Sequence, residues 1–182
     1  MQTVARTAQP STLERAGDKR FGRRYTHGTP FRRAIEEELI LVDHSIQVGM
    51  RGSIYSRDSL ENARKLGFDL VTAVEAQEQG IGALIQRIRD RAGAAKAFVS
   101  FDIDFVDPAY APGTGTPEVG GFTSSKALRV VRGWKGLDLV GFDLVEVLPQ
   151  HDPSQITSLL AANIVYEFIS LIALRKKLDS EG

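Results

Sequence analysis

The chain lacks cysteine altogether, has only three histidines, and carries no net charge, with 23 lysines and arginines against 23 aspartates and glutamates in 182 residues. Without cysteine there is no disulfide framework, no thiolate metal site and no sulfur nucleophile, so any metal must be held by carboxylates, imidazoles or backbone oxygens. The balanced charge offers no general field for nucleic acid or an anionic membrane surface, and neither is expected as a partner. There is no unbroken run of about 18 apolar residues and no apolar core of a secretory signal. The chain is expected to be soluble, and a place in the cytoplasm fits these absences without following from them. Internal repeats and low-complexity tracts are also lacking.

What is present is ordinary globular composition, 42% hydrophobic and 25% charged, at the size of one domain. The charge is unevenly placed. Residues 1–36 hold eight basic side chains (Arg6, Arg15, Lys19, Arg20, Arg23, Arg24, Arg32, Arg33) against Glu14, Asp18 and Glu36, so the remainder is net acidic. Residues 1–13, with Thr3, Arg6, Thr7, Ser11 and Thr12 and no acid, have a weak transit-peptide flavour. Residues 1–20 read as a poorly ordered leader, and 21–182 as the domain proper.

From residue 45 onward, short β-like runs alternate with helical patterns, the mark of an α/β fold with a mostly parallel sheet. Strands are expected at 45–50, 68–74, 97–101 and 139–147. A helix should start near Asp58, capped by it with Glu61, and stop at Gly67. Ile81, Leu84, Ile85 and Ile88 follow the helical spacing i, i+3, i+4, i+7 before Gly93. A short helix is expected over 123–132. The longest should begin at Asp152 with Pro153 at its first position.

Ligands of parallel sheets gather at the carboxyl ends of the strands, where loops diverge. Two strands end in acids here. Asp102 and Asp104 lie two apart, so in an extended segment both face one ion, and the next strand ends at Glu146. Three unneutralised carboxylates at one sheet edge repel, and a bound cation relieves that repulsion. The plainer reading is that they cap helices or meet arginines. Between the two strands, residues 107–121 hold three prolines and four glycines, a connection with little conformational freedom.

The segment Ser100-Phe-Asp-Ile-Asp-Phe-Val-Asp-Pro108, followed by Ala111-Pro-Gly-Thr-Gly-Thr-Pro-Glu-Val-Gly-Gly121, resembles the C-terminal metal signature of the ureohydrolases (arginase, agmatinase, guanidinobutyrase). His27-Gly-Thr-Pro-Phe-Arg-Arg33, Gln47-Val-Gly-Met-Arg-Gly52 and Gly141-Phe-Asp-Leu-Val-Glu-Val147 match in the family's order. The resemblance covers about residues 20–175 and is stronger to the agmatinase and guanidino-acid branch than to true arginases. It implies an arginase-like three-layer α/β/α fold. It also implies two manganese ions about 3.5 Å apart whose shared hydroxide attacks a guanidinium carbon to release urea and an amine. Asp102 and Asp104 would be metal ligands. Glu146 would accept two parallel N–H bonds from the guanidinium, and His27 would hand a proton to the departing amine, as an imidazole of pKa about 6.5 does well. Relatives form trimers or hexamers, so a homo-oligomer is implied too.

The departures count as much. The family's upstream Gly-Gly-Asp-His-Ser and Asp-Ala-His-x-Asp motifs do not precede His27, so the N-terminal strands and most of the metal cage are missing. Asp43-His44-Ser45 imitates part of one motif but starts a strand, at the wrong end of the sheet. At most one weakly held manganese ion is expected, with turnover impaired. An open sheet edge and face should result, explained by a truncated frame or an alternative start. The alternative is a non-catalytic remnant or regulatory subunit. A minor one reads Asp102 as the nucleophile of a magnesium-dependent aspartyl phosphatase, although Lys126 or Lys135 with Asp143 make a poor remaining set. Of the other residues, Asp143 is expected to face a backbone or arginine partner and His151 to lie on the site's rim. Arg32 and Arg33 are expected to be solvated, and Trp134 packed.

Overall fold

The computed structural model describes residues 3–7, 23–26, 29–52 and 59–181. Among these residues the sheet has five strands, β1 (Thr3–Thr7), β2 (Ile46–Met50), β3 (Asp69–Thr72), β4 (Lys96–Asp102) and β5 (Asp138–Val145), in the order β3-β2-β1-β4-β5. Every pairing among them is parallel. The helices among the described residues are α1 (Pro30–Glu36), α2 (Ser59–Lys65), α3 (Ala73–Ala92), α4 (Ser124–Arg132) and α5 (Ile156–Glu181).

The largest departure from expectation is β1. Five residues assigned to a poorly ordered leader form the central strand, paired with β2 on one side and β4 on the other. The segment Thr-Val-Ala-Arg-Thr is too short and polar to announce a central strand. A slot between two strands nevertheless satisfies its backbone donors and acceptors on both edges, and Thr and Val suit extended backbone.

The other elements follow their residues with local shifts. β3 ends at Thr72 because that hydroxyl accepts from Glu75 N while Thr72 N donates to the Glu75 carboxylate, a capping box that starts α3. Ala73 and Val74, expected in the strand, are therefore helical. Gly80 (φ 82°, ψ 156°) then kinks α3 ahead of its apolar stripe. The cap expected at Asp58 lies outside the described residues. α5 begins at Ile156 rather than beside Pro153, yet Asp152 still serves its first turn, accepting from Thr157 N at 3.1 Å and from Ser158 N at 2.8 Å. Arg33 was expected to be solvated. It is 5% exposed, with Nη2 donating to Glu36 at 3.0 Å.

On one face of the sheet α3 packs over β2 and β3, α5 over β5, and α4 between the two helices. Phe168 of α5 stacks on Phe142 of β5 (4.8 Å between centroids) and on Trp134 (5.7 Å), and meets Phe101 of β4 edge-on at 6.3 Å. Trp134 is packed as expected. Alternation turns Phe98 and Asp143 to the opposite face. There they line a cavity of about 290 Å³ with Pro30, Phe31 and Ala34 of α1. This gives the three layers of the expected fold.

Candidate functional site

The site is assembled at the carboxyl edge of the sheet. Asp102 is the last residue of β4, and its Oδ1 accepts from Asp104 N at 3.0 Å, so it caps a turn of 3-10 helix, Ile103–Phe105. That turn carries Asp104 to the same edge, and both aspartates are 2% exposed. Gly49 in β2 makes room for the turn: a Cβ there would lie 2.6 Å from the Phe105 ring. Glu146 follows β5 immediately. Because Asp102 registers with Val145, Glu146 lies one residue beyond the partner of Asp102. Its φ of 67° puts a non-glycine residue in the left-handed region, a strain that needs surrounding structure to hold it.

The Asp104 carboxylate is engaged at both oxygens. Thr114 Oγ1 donates to Oδ1, and Thr116 Oγ1 to Oδ2 at 2.8 Å. Burial pushes this carboxyl above its ordinary range, the two hydroxyls pull it back, and the negative charge of Glu146 adds to the rise.

The loop from 107 to 121 is tied down at both ends. Asp107 Oδ1 accepts from Ala109 N at 3.0 Å, and Oδ2 from Gly120 N at 2.9 Å and Gly121 N at 3.0 Å. These backbone donors, Ala109 first, hold the Asp107 carboxyl below its usual range. From the end of β2, Arg51 Nη2 donates to the carbonyls of Asp104 (2.5 Å) and Glu118 (2.8 Å), and Nε to that of Val119 (3.3 Å). Burial disfavours this guanidinium, while the charges of Asp104, Asp107 and Glu118 favour it. Gly121 lets the two arms of the loop close, since a Cβ there would sit 2.6 Å from Asp107 N and 2.7 Å from Arg51 Nη2. At the far side Leu148 N donates to Gly113 O at 2.8 Å, and beside it Thr114 bridges antiparallel to Val147. Gly113 N donates to Thr157 Oγ1 at 2.7 Å. These bonds join the loop to the exit of β5 and the start of α5.

Among the expected site residues, Asp102, Asp104 and Glu146 lie at the ends of the adjacent strands β4 and β5, while His27 lies outside the described residues. Among the described residues no group of three or more acids and histidines is arranged to hold a metal ion. His44 sits at the opposite edge, before β2, with Nδ1 3.2 Å from Arg91 O, as its place at a strand start implied. His151 is exposed in the turn Pro149–His151. Asp143 departs from expectation: its Oδ1 is buried without a hydrogen-bond partner among the described residues, facing the apolar cavity under α1. Sequence reasoning missed Arg51, Thr114 and Thr116. The two threonines did leave a signal, since a spacing of two in a stiff loop turns both hydroxyls the same way. Arg51 left its place at the end of a strand, inside the matching segment Gln47-Val-Gly-Met-Arg-Gly52.

Comparison with known proteins agrees with this layout. The chain matches the Arginase family over residues 16–170. It is 45% identical over 155 residues to a guanidinobutyrase of Pseudomonas aeruginosa, covering 85% of this chain and 49% of that protein. It is 49% identical over 157 residues to a guanidinopropionase of the same organism, covering 86% and 49%. The solved proclavaminate amidino hydrolase of Streptomyces clavuligerus superposes with a TM-score of 0.84 at 41% identity, covering 94% of this chain and 56% of that one. The chain spans about half the length of the curated relatives it matches. With the family matched over residues 16–170 and a solved relative superposing over 94% of its length, the chain belongs to the arginase family.

Proposed function

We propose that this chain carries one part of a guanidino-compound hydrolase site, with impaired turnover. The observation that supports this best is the placement of buried Asp102 and Asp104, and of Glu146, at the ends of adjacent strands, on a scaffold matched by proteins named for guanidino substrates. In this reading Glu146 accepts the N–H groups of a planar guanidinium, and its constrained backbone fixes the carboxylate's direction. Asp102 and Asp104 would face manganese, which when bound supplies an activated water to guanidinium chemistry.

The described residues fit that metal only in part. Two aspartates are well short of the about six ligands manganese favours, and both oxygens of Asp104 already accept hydroxyl bonds. No hydrolytic step therefore follows from these residues alone. His27 is proposed as the proton carrier on its sequence context. The incomplete ligand set favours a second reading, a family member that keeps the fold without turnover.

The test is urea release from 4-guanidinobutyrate or agmatine with added manganese. We expect slow, manganese-dependent release that Glu146→Gln removes. No urea above a metal-free control overturns the hydrolase reading and leaves the non-catalytic one.

A further inference from the structure

A cation stands among the acids of the carboxyl edge. Arg51 follows β2 directly, and the strand changes course just before it: Gly49 takes a φ of 87°, and the ladder to β3 slips between Val48 and Met50. Such irregularities re-aim the side chains that follow. Here the guanidinium reaches across to the segment after β4. Burial disfavours it there, and the charges of Asp104, Asp107, Glu118 and Asp102 favour it.

Asp104 is fixed at three places. Its N–H donates to Asp102 Oδ1, its carbonyl accepts from Arg51 Nη2 at 2.5 Å, and its carboxylate accepts from Thr114 and Thr116. Two residues beyond Thr116, the same Nη2 donates to Glu118 O at 2.8 Å, and Nε donates to Val119 O at 3.3 Å. One planar group therefore holds both the turn that carries the carboxylate and the arm of the loop that supplies its hydroxyls. That arm lies directly over the end of β2, since a Cβ on Gly52 would meet the Glu118 side chain.

We propose that Arg51 is a positioning residue of the site: it sets the direction of the Asp104 carboxylate, acting through the Asp104 carbonyl and the peptide segment 118–119. The role depends on the fork. A guanidinium presents Nε and Nη2 in one plane at a fixed separation, so carbonyls from two segments are held in one mutual geometry. A lysine ammonium supplies the same charge from a single rotatable point. Charge compensation of the surrounding acids is the competing account, and lysine would satisfy it. The consequence for manganese rests on the reading of Asp104 as metal-facing, whereas the hold on the turn and the loop does not.

Hydrogen exchange on the whole chain in EDTA separates the two accounts. The amide of Asp104, bonded to Asp102, reports on the turn, and those of Gly120 and Gly121, bonded to Asp107, report on the base of the loop. In Arg51→Met all three are expected to exchange at least about tenfold faster, as the loss of hydrogen bonds to a charged group implies, while the amides of α3 and α5 keep wild-type rates. Arg51→Lys should show the same rise, and Arg129→Met, on the exposed side of α4, should show none. Arg51→Met should also weaken manganese binding about tenfold, read from the paramagnetic resonance signal of the free ion.

Unchanged exchange at the three amides of Arg51→Met overturns the proposal. Wild-type rates in Arg51→Lys overturn it in favour of charge alone, and an equal rise throughout α3 and α5 overturns it in favour of general loosening. Equal manganese affinities in wild type and Arg51→Met do the same. A wild type that binds no manganese removes instead the metal-facing reading of Asp104, and the exchange rates still judge Arg51. Should Arg51→Met fail to fold, Arg51→Lys decides at the same three amides.

Discussion

At one end of the sheet β3 is four residues long, and Asp69 on it is gripped by Arg87 through Nε at 2.8 Å and Nη2 at 2.5 Å. At the other end β5 runs for eight residues, with Val140 43% exposed, beneath a helix that is apolar well beyond its buried stripe. Short edge strands and charge pairs are ordinary ways of closing a sheet against further pairing. The β3 end uses both, and the β5 end uses neither among the described residues. The difference teaches that the two boundaries are of different kinds: one is a finished surface, and the other has the composition of an interior.

Four measurements would break or sharpen that contrast. The largest effect is expected from Phe168→Ala, which removes the ring joining Trp134, Phe142 and Phe101 beneath α5. A loss of about 3–5 kcal/mol in denaturant unfolding is expected. A loss below about 1 kcal/mol would mean that α5 is not anchored on β5, and the contrast would fail.

Next comes Asp152→Ala, which strips the first turn of α5 of its acceptor and should lower Tm by several degrees. Burial raises the Asp152 carboxyl, but the hydroxyl and N–H of Ser158 and the N–H of Thr157 outweigh it and leave it below the ordinary range. A carboxyl whose pKa is lowered on folding contributes stability above its unfolded pKa and loses it as pH falls through the folded one. The wild type should therefore lose stability below about pH 4, and Asp152→Ala should lose less of it over the same interval. Parallel acid curves for the two proteins would remove Asp152 from the account.

A smaller effect belongs to the finished edge. A double-mutant cycle with Asp69→Ala and Arg87→Ala should give a coupling of about 0.5 kcal/mol, because the pair is partly exposed and screened. Zero coupling would show that strand length alone closes that edge. Smallest of all, Leu159→Ser on the outer face of α5 should change unfolding by no more than about 0.5 kcal/mol under conditions where the chain is monomeric. A large loss there would show that the face is already covered within one chain.

Much of this arrangement was legible. The apolar runs around β4 and β5, Thr123 ahead of α4, and the stripe Ile81, Leu84, Ile88 each carry their own periodicity or cap, and those elements lie where the residues put them within a few positions. The acids at the strand ends were legible as a pair with a third nearby, because spacing along extended backbone fixes which side chains share an edge. Arg33 and Asp143 were not. Whether a charged side chain is buried depends on what packs over it, and that comes from distant segments.

By itself the sequence determined the alternation of strand and helix, the acidic strand ends and the stiff loop between them, since these depend on neighbours a few residues apart. Only the tertiary structure decided that Thr3–Thr7 takes the middle of the sheet, that Arg51 ties the loop to β2, and that α5 packs over β5. The reason is physical. Strand order and burial are settled by contacts between parts of the chain far apart in sequence, where one segment's fate depends on which surfaces the others leave free.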